Sequence, residues 1–304
     1  MNRNLARGVL LTAGLIWATG FLVNKYVLDS GWDDSQLLFV RFASATFFLF
    51  LLFGKRILNA FKVTGKTGMY LGVFMFLGFF FQTLGLVYTT PSKNALITAG
   101  YIVFLPIIVF LAERRKTHIK TLIAAFLTFV GIGLISMDTS NISNINMGDV
   151  YTFIGAIFWG VHIYLLGKET KRHDPISLMG FQLITVTILS LGSMFLRSEF
   201  PPLDWNQPTT IRLWLVALLI GFFASFVAFL LQSIGQKHSN ETEAAILIST
   251  ESFFGPILAI LFYHDPLDWS IGIGMVLVFL GVLLSEIDIT QILNKAPLLR
   301  KKRS

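Results

Sequence analysis

Ten stretches of this sequence, each close to 20 residues long and nearly free of charge, follow one another with only short polar gaps between them. They lie near residues 8–28, 36–53, 68–88, 94–112, 119–137, 149–167, 176–196, 211–235, 242–263 and 269–286. A helix needs roughly 20 mostly apolar residues to cross about 30 Å of hydrocarbon, so each stretch predicts one membrane-spanning helix. Composition agrees. Charged residues make up 13% of the chain, about half of what a water-soluble surface ordinarily carries. There is no cysteine, which removes disulfides and thiolate metal sites. The first stretch, with Arg3 and Arg7 before it, could pass for a signal peptide. Its length, and Asn24 and Lys25 in place of a small-residue cleavage pattern, predict a retained helix.

The charges set the orientation. If the first helix starts in the cytoplasm, nineteen lysines and arginines fall on that side and four on the other, with Arg41 inside a helix. Positive residues accumulate on the cytoplasmic side, so both termini are expected inside, which requires an even number of helices. The basic cluster Arg300-Lys301-Lys302-Arg303 then reads as a topology anchor near anionic lipid and not as a nucleic-acid site. The absence of a transit peptide and of long loops points to a bacterial inner (cytoplasmic) membrane.

An internal repeat carries the functional reading. At an offset of 150, Gln82 meets Gln232, Gly85 meets Gly235, Ala95 meets Ala245 and Pro106 meets Pro256; Ala124 meets Gly274 and Gly131 meets Gly281. Near the starts of the halves the offset slips, and Trp17-Ala18 lies against Trp159-Gly160 at 142. Each half holds five helices, so the second enters the membrane upside down relative to the first. The expected organisation is residues 1–140 as the first repeat, 141–290 as the second and 291–304 as a basic cytoplasmic tail. Inverted repeats are a recurrent construction of secondary transporters, with the substrate site near the midplane between the halves.

The stretches Leu15-Ile16-Trp17-Ala18-x-x-Phe21, Val40-Arg41-Phe42 and Leu84-Gly85-Leu86-Val87-Tyr88-Thr89-Thr90-Pro91 resemble the EamA repeat of the drug/metabolite transporter superfamily. Ala95-Leu96-Ile97, Pro106 and Glu113-Arg114 extend the likeness, and the second copy is more divergent. The resemblance implies an all-α, ten-helix carrier, commonly an exporter of amino acids or other metabolites, with a central cavity shared by the halves. Gln182 stands where Arg41 does, and His264-Asp265 roughly replaces the Glu113-Arg114 corner, so substrate preference does not transfer.

Glu251 is the leading site candidate. It sits about ten residues from either end of its helix, where a carboxylate costs about 2.5–3.5 kcal/mol to insert, so it is expected to face a cavity. There it would bind a cationic group or take up a proton; the bland alternative is a neutral acid bonded to a neighbouring helix. Its repeat mate Tyr101 offers a ring face for cations and a hydroxyl for carboxylates, or simply packs. His162 could relay protons with Glu251, although a lone buried histidine is more often a helix–helix contact. Gln82, Gln232, Asn24, Asn94 and Thr98 are polar groups that must find partners in the membrane. Trp17, Phe21 and Trp159 are candidate apolar walls. Arg41 would hold a carboxylate or, more commonly for such a residue, snorkel or pair with Asp33 or Asp34. The small residues Ala124, Gly131, Gly274 and Gly281 predict that the fifth and tenth helices pack closely and offer a seam for a homodimer.

The sequence lacks Gly-x-x-x-x-Gly-Lys-[Ser/Thr], which argues against ATP coupling within the chain. No metal or cofactor is expected. The reading is a non-enzymatic carrier of a small molecule, working in membrane lipid by proton coupling or exchange. The alternatives are an uptake carrier for metabolites or sugars and an intramembrane enzyme acting on lipids. The enzyme lacks a clustered set of deep polar groups. A receptor or assembly factor would have little use for two equivalent halves.

Overall fold

The computed structural model describes residues 1–114, 119–137, 146–197, 199–201 and 206–286. The expected boundary between 140 and 141 and the tail 291–304 lie outside the described residues. The helices are α1 (Arg3–Asp29), α2 (Asp34–Asn59), α3 (Phe61–Tyr88), α4 (Pro91–Thr98), α5 (Tyr101–Glu113), α6 (Ile119–Ser136), α7 (Met147–Glu169), α8 (Pro175–Arg197), α9 (Pro208–Ile220), α10 (Ala228–Lys237), α11 (Glu241–Ile248), α12 (Glu251–Tyr263) and α13 (Trp269–Glu286). A π-helical segment, Gly221–Val227, joins α9 to α10. Counting α4–α5, α9–α10 and α11–α12 as single runs, eight are long and apolar enough to cross a membrane. Leu122–Ser136 and Trp269–Leu284 are shorter apolar stretches.

Several helices begin earlier or end later than their apolar cores suggested, because polar side chains cap them. Asn2 accepts from the Leu5 amide at 2.8 Å and starts α1 at Arg3. Asp33 and Gln36 form a capping box at the start of α2. At its other end α2 runs on to Asn59, where Arg56 reaches Asp174 at 2.5 Å and 3.0 Å. Burial pushes the Asp174 carboxyl up, but Arg56 and the Ser177 donors outweigh it and hold the group below the usual carboxylate range.

The fourth and ninth stretches, expected as continuous helices, are each broken at one point. Pro106 and Pro256 lack an amide hydrogen and crowd the preceding turn. Upstream of each, the chain tightens in the same way. Ile102 N bonds Ala99 O and Val103 N bonds Gly100 O, while Ser252 N bonds Ser249 O and Phe253 N bonds Thr250 O. The two patterns are 150 residues apart. So are the left-handed caps that end the two runs, Arg114 at φ 53° and His264 at φ 58°. Each break makes Tyr101 or Glu251 the first residue of the helix that follows it.

Packing pairs elements of the first half with elements of the second. α3 lies on α7 and α8, α1 on α10 and α12, α2 on α8 and the π segment, α4 on α7 and α12, and α6 on α13. Shifting the helix order by one half converts these contacts into one another: α3 on α7 becomes α10 on α1, and α3 on α8 becomes the π segment on α2. Close approach depends on glycine. A methyl at Gly131 would lie 2.8 Å from the Gly274 carbonyl oxygen, and one at Gly274 2.7 Å from the Gly131 carbonyl oxygen. The small faces of α6 and α13 are therefore used against each other within one chain, as the close packing expected of the fifth and tenth stretches requires.

A leucine at Gly274 should separate these two helices and cost about 1–3 kcal/mol. We expect a lower melting temperature for Gly274→Leu in detergent, followed by size-exclusion chromatography after heating. Gly272→Leu is the control, since a methyl there meets nothing within 4 Å. Equal stability of the two variants would contradict the close-packing account.

Candidate functional site

One buried cavity lies where the halves meet, and ten of the eleven residues selected from sequence line it. Trp17, Phe21 and Asn24 come from α1, Gln82 from α3, Asn94 and Thr98 from α4, and Tyr101 from α5. From the second half come Trp159 of α7, Gln232 of α10 and Glu251 of α12. α6 and α13 contribute nothing to the lining. The exception is His162. It is fully buried, and its Nε2 lies 2.7 Å from Gln182 Oε1 on α8. The reason is helical geometry. Trp159 and Ile163 are four residues apart and share the cavity face, whereas His162 is turned about 100° away from Ile163 toward α8. The proposed relay between His162 and Glu251 has no support in this arrangement.

The polar groups of the cavity are of two kinds. Some are tied down: Gln82 Nε2 donates to Thr98 at 2.9 Å, and Asn94 Nδ2 donates to Thr152 at 2.7 Å and to the Gln82 carbonyl at 3.0 Å. Tyr101 donates to the Ala245 carbonyl at 3.3 Å, and its hydroxyl lies within reach of the Glu251 carboxyl. Others are buried without a hydrogen-bond partner among the described residues: Asn24 Oδ1, Asn94 Oδ1, Gln232 Oε1 and Trp159 Nε1. Buried polar atoms are nearly always paired, so four orphans around one cavity mark positions for ligand or water.

Arg41 is where sequence reasoning leaned the wrong way. Asp33 caps α2, and Asp34 is held by Arg197 at 2.6 Å and 3.1 Å, so neither pairs with Arg41. Arg41 is 3% exposed, lines the cavity and donates through Nε to Ser225 Oγ at 2.5 Å. Its guanidinium lies 4.5 Å from the Phe79 ring centre and 5.2 Å from that of Phe42, so cation–π attraction offsets part of its desolvation. Among the described residues, no carboxylate is bonded to it.

The walls are aromatic. Trp17 packs on Phe229 at 4.7 Å and Phe79 on Trp159 at 4.6 Å, and the two pairs meet at Phe79–Phe229, 5.6 Å apart. Phe79 and Phe229 were missed from sequence, although they are a repeat match one turn before Gln82 and Gln232. The free volume is only ≈ 50 Å³. That admits roughly three to five waters and is well short of the several hundred Å³ of a typical ligand pocket. The free space at the site is thus small in the described conformation. Among the described residues, no group of three or more His, Asp or Glu is placed to hold a metal ion.

Ion pairs and hydrogen bonds tie the helices at both ends of the bundle. At the end holding the start of α1, Arg3 and Arg7 meet Glu243 at 3.1 Å and 2.6 Å, and Lys168 meets Glu113 at 2.6 Å. At the other end Lys25 pairs with Asp29 at 3.3 Å and donates to the Leu86 and Val87 carbonyls, Tyr263 bonds Asp29, and Thr89 bonds Asp149 at 2.6 Å.

Comparison with known proteins accords with this architecture. The model of the EamA-like transporter family matches twice, over residues 6–137 and 146–287. An uncharacterized transporter of Archaeoglobus fulgidus is 30% identical over 93% of this chain and 85% of its own length. The aromatic amino acid exporter YddG of Salmonella typhimurium is 28% identical over 48% of this chain and 46% of that protein. Purine permease 3 of Arabidopsis thaliana is 24% identical over 65% of this chain and 61% of that protein. One crystal structure superposes with a TM-score of 0.69 at 17% identity, covering 96% of this chain and 99% of that one, which speaks to the fold alone. On the strength of the double match along its length, this multi-pass membrane protein belongs to the EamA-like transporter family.

Proposed function

We propose that the protein is a secondary-active exporter of small amphipathic metabolites, amino acids foremost, in a bacterial cytoplasmic membrane. Two inverted five-helix halves cross the membrane ten times with both termini inside. α6 and α13, 18 residues each, are about 27 Å long at 1.5 Å per residue, at the short end of the roughly 17–25 residues that spanning helices use. Alternating access would rock the halves about the shared cavity, opening first one ion-paired end and then the other.

The observation that carries this reading is the lining of the cavity. A guanidinium from α2 and a carboxyl from α12 enter one aromatic-walled space that also holds unpaired amide oxygens. Arg41 suits a substrate carboxylate, since its planar fork matches two oxygens at once. Glu251, with Asn24, Asn94 and Gln232 as acceptors, suits an ammonium. Glu251 cannot hold both a proton and an ammonium at full strength, and that competition is sufficient to couple substrate release to proton uptake. The name of the Salmonella relative supports an amino acid substrate. The name of the plant relative, together with the carboxamide acceptors, supports a second reading, uptake of a nucleobase.

Metabolite profiling separates these readings. Cells producing the wild type should accumulate one amino acid class in the medium, and Glu251→Gln at equal membrane level should lower that efflux at least about tenfold. Accumulation inside the cell would favour uptake, and equal efflux from both proteins would remove Glu251 from the mechanism.

Topology is open to a direct test because the chain has no cysteine of its own. An impermeant maleimide should label Arg212→Cys in intact cells and Lys62→Cys only after permeabilisation. The reverse pattern would invert the assigned orientation.

A further inference from the structure

The two halves of the cavity differ, and the difference traces to one residue. A methyl at Gly72 of α3 would lie 2.6 Å from Thr185 Cβ and 2.9 Å from the Gln182 carbonyl oxygen on α8. A methyl at Gly221 would lie 2.7 Å from Ser44 Cβ and 2.5 Å from the Arg41 carbonyl oxygen on α2. Gln182 and Thr185 follow Arg41 and Ser44 by the same 141 positions, so the two glycines are structural counterparts, 149 positions apart. Further along, Phe79 and Phe229, and then Gln82 and Gln232, line the cavity at an offset of 150. The second half therefore spends one more residue between its glycine and its phenylalanine. That residue falls in Gly221–Val227, the π-helical segment, whereas α3 runs straight through the matching stretch. A π turn closes its hydrogen bond one residue later than an α turn, which is how a helix absorbs one extra residue without moving its ends out of register.

The insertion alters what the cavity side chains can bond to. Within the π segment the Ala224 carbonyl accepts from Trp17 Nε1 at 2.7 Å, and Ser225 Oγ accepts from Arg41 Nε at 2.5 Å. The first half offers neither partner. Trp159, the counterpart of Trp17, keeps its indole N–H buried without a partner among the described residues, and Gln182, the counterpart of Arg41, bonds His162. We propose that the inserted residue is a positioning device: the Ala224 carbonyl and the Ser225 hydroxyl hold Trp17 and Arg41 against the cavity, so that it binds a zwitterionic aromatic amine in one orientation, carboxylate toward Arg41. The choice of ligand rests on the exporter reading; the positioning of Trp17 and Arg41 does not.

Two measurements on the purified full-length protein test this and keep the two ideas apart. The first compares binding of L-phenylalanine with that of 2-phenylethylamine, which has the same ring and ammonium but no carboxylate. Ser225→Ala should weaken L-phenylalanine about tenfold and leave the amine unchanged, and Ser225→Thr, which retains the hydroxyl, should restore the preference. Equal weakening of both ligands, or of neither, would overturn the proposal. The second needs no ligand. Trp17→Phe keeps an aromatic ring, a smaller one, and removes the N–H, so hydrogen exchange should rise in 221–227 and stay unchanged in 71–77. Unchanged exchange in 221–227 would overturn the role of the Ala224 carbonyl. If the wild type binds neither probe, the amino acid reading fails and the exchange result alone decides the positioning.

Discussion

A backbone amide in hydrocarbon has no solvent to fall back on, and the whole structure follows from where that rule is obeyed and where it is relaxed. Along the lipid-facing helices it is obeyed without interruption. It is relaxed at the break between α4 and α5, at the break between α11 and α12, and in the π segment between α9 and α10. The two breaks border the cavity, and the π segment lies behind it, where Trp17, a lining residue, satisfies the Ala224 carbonyl. The breaks also decide which residues enter that space, since Tyr101 and Glu251 each open the helix that follows one.

Glycine supplies the second constraint. Interfaces such as Gly85 against Gly148, and Gly131 against Gly274, bring backbones into near contact, and no side chain larger than hydrogen fits there. Without a hydrophobic drive between helices in lipid, such contact area is what holds a membrane bundle together. It also leaves the centre of the molecule to larger groups. The aromatic cluster of Trp17, Phe229, Phe79 and Trp159 fills the space that the glycine-tight interfaces leave open at the middle.

Much of this was legible in the sequence, for identifiable reasons. A repeat held at a fixed offset carries three-dimensional information, so matching Tyr101 with Glu251 and Gln82 with Gln232 was enough to gather residues from distant elements around one space. Single-residue judgements fared worse. His162 is polar and central, but its face of α7 could be known only from a neighbouring cavity residue on the same helix. Arg41 was weighed against Asp33 and Asp34 because they are near in sequence; the claims of the capping box and of Arg197 on those two carboxylates come from tertiary structure. The π segment was hidden for another reason. The repeat matches used to set the offset all lie after it, so the shift from 149 to 150 leaves no trace in them.

The crossing of contacts between halves bears on how the protein is made. α1 finds its main neighbours in α10 and α12, and α3 in α7 and α8, so each half completes its packing only against the other. As the chain emerges from the ribosome, the helices of the first half enter the bilayer with glycine faces and a buried-type arginine still unmatched. Arg41 acquires its Ser225 partner only once the π segment after α9 has been made. Until then lipid, the insertion machinery or the helices' own loose association must shelter those surfaces. Assembly is therefore a late, concerted event, and a chain truncated in its second half would leave an orphaned bundle for quality control to remove.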